Sequence, residues 1–217
     1  MSRIVTLKRR DLILGATAAA LVPPLSALAA DSRRLVITPG QTEGPFYPVS
    51  FPADMDNDLV RIQGQAAQAT GQVAHVVGRV LNRRGEPVRG AMVEIWQCDA
   101  KGIYNHPGQA GLQRRDTAFQ GYGRSEAGAD GGYSFRTIRP VAYPGRTPHI
   151  HFKVHAPGAG RLTTQMYIAG ERQNATDGPL SSIRDRAARE SVIVRLDPAD
   201  ALEPGALKGT FDIVLDI

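Results

Sequence analysis

Tyr104 closes the run Trp96-Gln97-Cys98-Asp99-Ala100-Lys101-Gly102-Ile103-Tyr104, and Tyr143 opens the run Tyr143-Pro144-Gly145-Arg146-Thr147-Pro148-His149-Ile150-His151-Phe152. Two phenols and two imidazoles form a donor set for a ferric ion. Phenolate oxygen is hard and anionic and suits a hard trivalent ion, whereas imidazole alone suits zinc, copper or ferrous iron. A free tyrosine titrates near pH ~10, so its binding as phenolate at neutral pH requires a strongly charged metal beside it. In a strand, residues i and i+2 share a face. His149 and His151 therefore project together and leave Ile150 and Phe152 for the core. His155 has the same parity but lies about 13 Å beyond His151 at ~3.3 Å per residue, which makes it an ordinary strand histidine.

Further motifs run the length of the chain: Gln41-Thr42-Glu43-Gly44-Pro45-Phe46-Tyr47, Asp130-Gly131-Gly132-Tyr133-Ser134-Phe135-Arg136-Thr137-Ile138, Thr164-Gln165-Met166-Tyr167 and Phe211-Asp212-Ile213-Val214-Leu215. Together with Trp96-Gln97, Tyr143-Pro144, Arg146 three residues before His149, and His149-Ile150-His151-Phe152, they make the chain resemble the intradiol ring-cleavage dioxygenases. The resemblance implies that Tyr104, Tyr143, His149 and His151 are the four protein ligands of a non-haem Fe(III), with Tyr143 and His149 axial and Tyr104 and His151 equatorial. It implies a catechol-type diol and O2 as substrates, ring opening between the two hydroxylated carbons to a cis,cis-muconate, and Tyr143 as acceptor of one of the two catechol protons. It also places Arg146 beside the substrate ring, where a guanidinium would stabilise negative charge on the attacked carbon, and Gln165 in the same pocket. A structural hydrogen bond is the alternative role for either residue, and Tyr167 shares the parity of Gln165 as a weaker pocket candidate. Only five residues separate Tyr143 from His149, fewer than is usual in the family. Thr147-Pro148 stands where the family usually has Pro-Ala, so the wall that selects the substrate differs.

These side chains need a rigid frame, and the sequence predicts an all-β fold, an antiparallel β-sandwich with long active-site loops. The 23 Gly and 15 Pro in 217 residues point to many turns. β-type runs recur at Val73 to Asn82, Ala91 to Cys98, Tyr133 to Ile138, His149 to His155, Thr163 to Ile168, Ser191 to Leu196 and Thr210 to Ile217, a spacing that favours a sandwich. In the last run Phe211, Ile213, Leu215 and Ile217 alternate against Asp212, Val214 and Asp216, as in a half-buried strand. Arg83-Arg84-Gly85-Glu86-Pro87 and Asp130-Gly131-Gly132 mark turns, and a short helical turn is expected around Ser181 to Glu190. Trp96 is expected in the core. The metal is expected at one edge of the sandwich.

Residues 1–30 read as an export signal preceding a catalytic domain over residues 31–217. Lys8-Arg9-Arg10-Asp11-Leu12-Ile13-Leu14 is a twin-arginine pattern, followed by an apolar stretch and the small-residue context Ala27-Leu28-Ala29-Ala30. Removing those residues takes away four basic residues and one acidic one, lowering the formal charge from +5 to +2. Most of the basic excess thus belongs to the signal and gives no argument for a nucleic-acid partner. The expected partners are the diol, O2 and the twin-arginine export machinery, with a homo-oligomer left open, and the expected location is periplasmic or secreted. The single Cys98 cannot form an internal disulfide.

Two other readings compete. The segments Val77-Gly78-Arg79-Val80 and Gly90-Ala91-Met92-Val93-Glu94 also resemble transthyretin-like sandwich modules that bind without catalysis. Glu43, Asp99 or Asp116 could supply the carboxylate of a two-histidine ferrous site, although their spacing singles none of them out.

Overall fold

A computed structural model describes residues 35–217 apart from residue 159, so the export signal expected over residues 1–30 lies outside the described residues. Ten strands follow in chain order: β1 (Val73–Leu81), β2 (Met92–Trp96), β3 (Tyr122–Glu126), β4 (Gly132–Ile138), β5 (His149–Ala156), β6 (Gly160–Ile168), β7 (Ile193–Val194), β8 (Asp197–Pro198), β9 (Leu207–Thr210) and β10 (Ile213–Val214). In β1, β2, β4, β5 and β6 the β-branched and aromatic content explains the preference, since such side chains pack well on a pleated, half-buried surface.

The strands form two five-stranded sheets. In the first, β1 pairs antiparallel with β4 and, along its other edge, parallel with β9 and then β10, while β8 pairs with β9. The second has the order β3-β2-β5-β6-β7, antiparallel except for the β6–β7 pair. The sandwich is thus all-β as expected, with the parallel pairs β1–β9, β1–β10 and β6–β7 among otherwise antiparallel ones. Phe152 on β5 joins the two layers. It meets Phe135 and Tyr133 of β4 edge-on and lies 5.0 Å, ring to ring, from Phe211. Ile150, Phe152 and Val154 all point into this core, which leaves His149 and His151 for the opposite face of the sheet.

The C-terminal run departs from the expected single strand. Its register with β1 continues from Thr210 opposite Val77 to Ile213 opposite Val80, but the ladder breaks between them. There the Asp212 side chain accepts the Arg79 N–H at 2.9 Å in place of a backbone carbonyl. Val214 is buried, because Thr38 N–H donates to its carbonyl and its own N–H donates to Thr38 Oγ1, while Ile217 is 46% exposed. Alternation failed here because a neighbouring segment covers what would have been the solvent face. The expected helical turn is two short helices, α1 (Gly178–Ser181) and α2 (Arg186–Ser191), each capped by an aspartate. The run at 191–196 pairs only as β7. The run Tyr-Gly-Arg-Ser-Glu of β3 has no apolar alternation to mark it as a strand; it pairs with β2 at the sheet edge, and its Arg124 N–H donates to the Met55 carbonyl at 3.0 Å.

Gly78 is where β1 lets the C-terminal run approach. A Cβ there would lie 1.9 Å from the Phe211 carbonyl oxygen and 2.8 Å from the Tyr133 hydroxyl, which itself donates to that carbonyl. Overpacking typically costs ~1–3 kcal/mol and sometimes more. A backbone obstacle puts Gly78→Ala at the upper end, about 3 kcal/mol. Urea unfolding checks this, and an unchanged midpoint would show that the contact is not needed.

Candidate metal site

The site lies on the outer face of the second sheet, at the end where β2 stops at Trp96 and β5 starts at His149, under the segment 41–47. β5 brings His149 and His151 to this face, with Trp96 of β2 and Gln165 of β6 flanking His151 across the ladders and Tyr167 beside His149. Trp96 is buried as expected, but on this face: its ring lies flat on His151, 4.8 Å away and 9° from parallel. Gly44, with φ at +73°, also comes close to this ring: an added Cβ would lie 3.4 Å from His151 Cε1.

Tyr104 arrives on the loop after β2, and Asp99 shapes that loop. Asp99 Oδ1 accepts the N–H groups of Lys101 and Ile103 at 2.8 and 3.0 Å, and Oδ2 accepts that of Asp116 at 2.6 Å. Gln97 ties the same strand end to β4, donating to Ile138 O at 3.1 Å and accepting from Thr137 Oγ1 at 2.9 Å. The two tyrosines consequently meet edge to face, with ring centroids 5.8 Å apart, and Phe46 stacks on Tyr104 at 4.7 Å.

Three donor atoms converge. His149 Nε2 is 3.2 Å from His151 Nε2 and 3.4 Å from Tyr104 Oη. Ligands bound to one ion at about 2.0–2.1 Å lie roughly 3–3.5 Å from one another, so this spacing fits a metal. His149 Nδ1 is 2.7 Å from the Thr147 carbonyl, which can only accept. The ring proton therefore sits on Nδ1 and Nε2 presents its lone pair inward. Burial raises both phenols above their ordinary pKa, most strongly Tyr104, while Arg146 and Tyr104 partly oppose the rise at Tyr143. A phenolate in this pocket thus calls for a highly charged cation.

Burial, followed by the Arg146 charge, lowers His149 to about 4, and burial, His149 and Arg146 hold His151 well below the usual imidazole range. Both rings are neutral at pH 7 and free to bind a metal. Since the unfolded chain takes up these protons near pH ~6.5, the unfolded state binds more protons as the pH drops. The metal-free protein should keep this contribution to stability above pH ~6.5 and lose it progressively toward pH ~4. Urea midpoints at pH about 7.5 and about 5 test the sign, and equal midpoints would contradict it.

The structure brings Tyr104, Tyr143, His149, His151, Arg146 and Gln165 together. Arg146 lies among hydrogen-bond partners. Its Nε donates to Asp177 Oδ2 at 2.8 Å and its Nη2 to Gln165 Oε1 at 2.5 Å, while its Nη1 lies 3.5 Å from Tyr143 Oη. Gln165 reaches the site through Arg146, and its own Nε2 donates to Thr42 O at 3.0 Å. Tyr167 donates to Gln41 Oε1 at 2.6 Å. His155 stands apart, 2.8 Å from Glu94, as an ordinary strand histidine. The three carboxylates considered for a ferrous site are engaged elsewhere: Glu43 pairs with Lys153, Asp99 builds its loop, and Asp116 accepts from Thr70 and Ala118. Sequence reasoning missed Asp177, Gln41 and the loop-building role of Asp99. Asp177 had a local signal, an aspartate before Gly-Pro, which marks a helix N-cap.

A family model described as Dioxygenase (Dioxygenase_C) matches residues 42–217. The protocatechuate 3,4-dioxygenase beta chain of Burkholderia cepacia is 38% identical over 179 residues, covering 79% of this chain and 76% of that one. Catechol 1,2-dioxygenase 1 of Acinetobacter lwoffii is 33% identical over 152 residues, covering 62% of this chain and 47% of its own length, so the chain spans about half of that relative. The solved dioxygenase domain of a dioxygenase carbohydrate-binding protein fusion from Streptomyces sp. SirexAA-E superposes with a TM-score of 0.65 at 35% identity, covering 84% of this chain and 99% of that domain. An enzyme family thus stands where the transthyretin-like module was the alternative. With most of its length matched and its site assembled on one sheet face, the chain belongs to the intradiol ring-cleavage dioxygenases, oxidoreductases of catechol-type rings.

Proposed function

We propose that the protein is an exported non-haem Fe(III) enzyme that uses O2 to open a catechol-type ring between its two hydroxylated carbons, giving a cis,cis-muconate. The observation that carries this reading is the convergence of His149 Nε2, His151 Nε2 and Tyr104 Oη, with Tyr143 alongside. These four residues would hold the ion. When bound, a ferric ion would chelate the diol as its dianion and draw electron density from the ring, making it reactive toward O2.

The chain's own groups divide the remaining work. Tyr104 is sealed beneath Phe46, whereas Tyr143 is only half-buried, so Tyr143 is the phenol an incoming diol would reach. It is assigned to take one of the diol's two protons. The Arg146 Nη1 beside its oxygen places a fixed positive charge where the reacting ring would build up negative charge. Trp96, Gly44 and the Thr147 carbonyl hold the imidazoles in place. Export rests on the twin-arginine pattern at residues 8–14 and the Ala27 to Ala30 context.

The test is incubation of the iron-loaded protein with a panel of catechols under 18O2. Both labelled atoms should appear in a single cis,cis-muconate product. Failure to consume O2 with any diol would reject the reading.

A further inference from the structure

Asp177 lies 31 residues from Arg146 in sequence, and its side chain is fully buried. Three donors converge on its two oxygens. Oδ2 accepts from Arg146 Nε at 2.8 Å and from Thr147 N at 3.1 Å, while Oδ1 accepts from Leu180 N at 3.0 Å and so caps α1. A planar guanidinium is oriented only when more than one of its corners is held. Asp177 fixes the Nε side, and Gln165, itself anchored to Thr42 O, fixes Nη2. The remaining tip, Nη1, is left facing Tyr143 Oη. Through Thr147 N the same carboxylate steadies the residue whose carbonyl sets the His149 tautomer.

We propose that Asp177 is a positioning residue for ring cleavage: it aims Arg146 at the Tyr143 oxygen. The proposal rests on the function given above. Its chemistry makes asparagine a sharp probe. All three partners are N–H donors, and an amide offers one acceptor oxygen and one NH2 group. In either orientation Asp177→Asn sets a donor against a donor, so the side chain cannot serve Arg146 and the helix cap together.

The test is a double-mutant cycle on the iron-loaded full chain. Asp177→Asn should lower kcat by ~10–100-fold, the range for groups that support a metal site, with KM changed by less than about threefold. In an Arg146→Ala background, Asp177→Asn should add less than about twofold, because a residue acting through Arg146 has little left to lose. Equal effects in both backgrounds would overturn the proposal by making Asp177 an independent structural group. Should the asparagine variant not fold, Asp177→Glu, which keeps the charge but displaces it, takes its place in the cycle. A second readout needs neither iron nor substrate. In the metal-free protein the Arg146 Nε–H should give a slowly exchanging NMR resonance that Asp177→Asn abolishes. Fast exchange in the unsubstituted protein would overturn the proposal. Inactivity of that protein on every diol would reject the function reading instead, and the resonance would still decide the role of Asp177.

Discussion

Replacing His151 with alanine is expected to empty the metal site. His151 Nε2 is one of the three converging donor atoms, and its ring stacks on Trp96 with Gly44 close to its Cε1. Changing a group that merely supports a metal ligand costs ~10–100-fold in affinity, so removing a ligand should exceed about 100-fold. Iron content after dialysis should fall well below one equivalent, and O2 uptake with a catechol should be lost in parallel. His155→Ala is the matched control. It lies on the same strand with the same parity, yet its partner is Glu94, so that variant should retain iron. Stoichiometric, tightly held iron in His151→Ala would remove this residue from the ligand set.

Arg146→Ala should separate metal binding from turnover. The guanidinium touches Asp177, Gln165 and the Tyr143 oxygen, while the converging His149, His151 and Tyr104 atoms hold one another's spacing without it. Iron should stay bound. Losing a preorganised charge aimed at the reacting groups typically costs ~10²–10³-fold in kcat, and that is the fall expected here. The variant also leaves the buried Asp177 carboxylate with two donors in place of three. Losing one partner of a buried acceptor costs ~1–3 kcal/mol, so a lower urea midpoint should accompany the slower turnover. A variant with normal kcat would return Arg146 to the structural role considered for it.

How much of this was legible in the sequence depended on whether the information was local. Strand parity alone placed Ile150 and Phe152 in the core and both histidines on the opposite face. The two tyrosines became interpretable only through longer motifs, because nothing in either short run says that loops 39 residues apart will meet. Other features required the third dimension. The parallel pairing of β9 and β10 with β1, and the burial of Val214 under Thr38, arise from segments more than 120 residues apart. The same holds for Asp177, whose local pattern announces a helix cap and gives no hint of the arginine it holds. The cover over the histidine face of the sheet, the segment 41–47, likewise comes from far along the chain. Its residues looked like a motif in the sequence and act as a lid: Phe46 on Tyr104, Tyr47 over the Lys153 ammonium at 3.3 Å, and Gln41 on Tyr167.

The most direct test of the central claim is the visible absorption spectrum of the iron-loaded protein, recorded before and after anaerobic addition of a catechol. Ligation by Tyr104 and Tyr143 predicts a broad tyrosinate-to-iron charge-transfer band that shifts when the diol binds. A colourless protein with confirmed iron, unchanged by any catechol, would contradict the tyrosinate site and the function built on it.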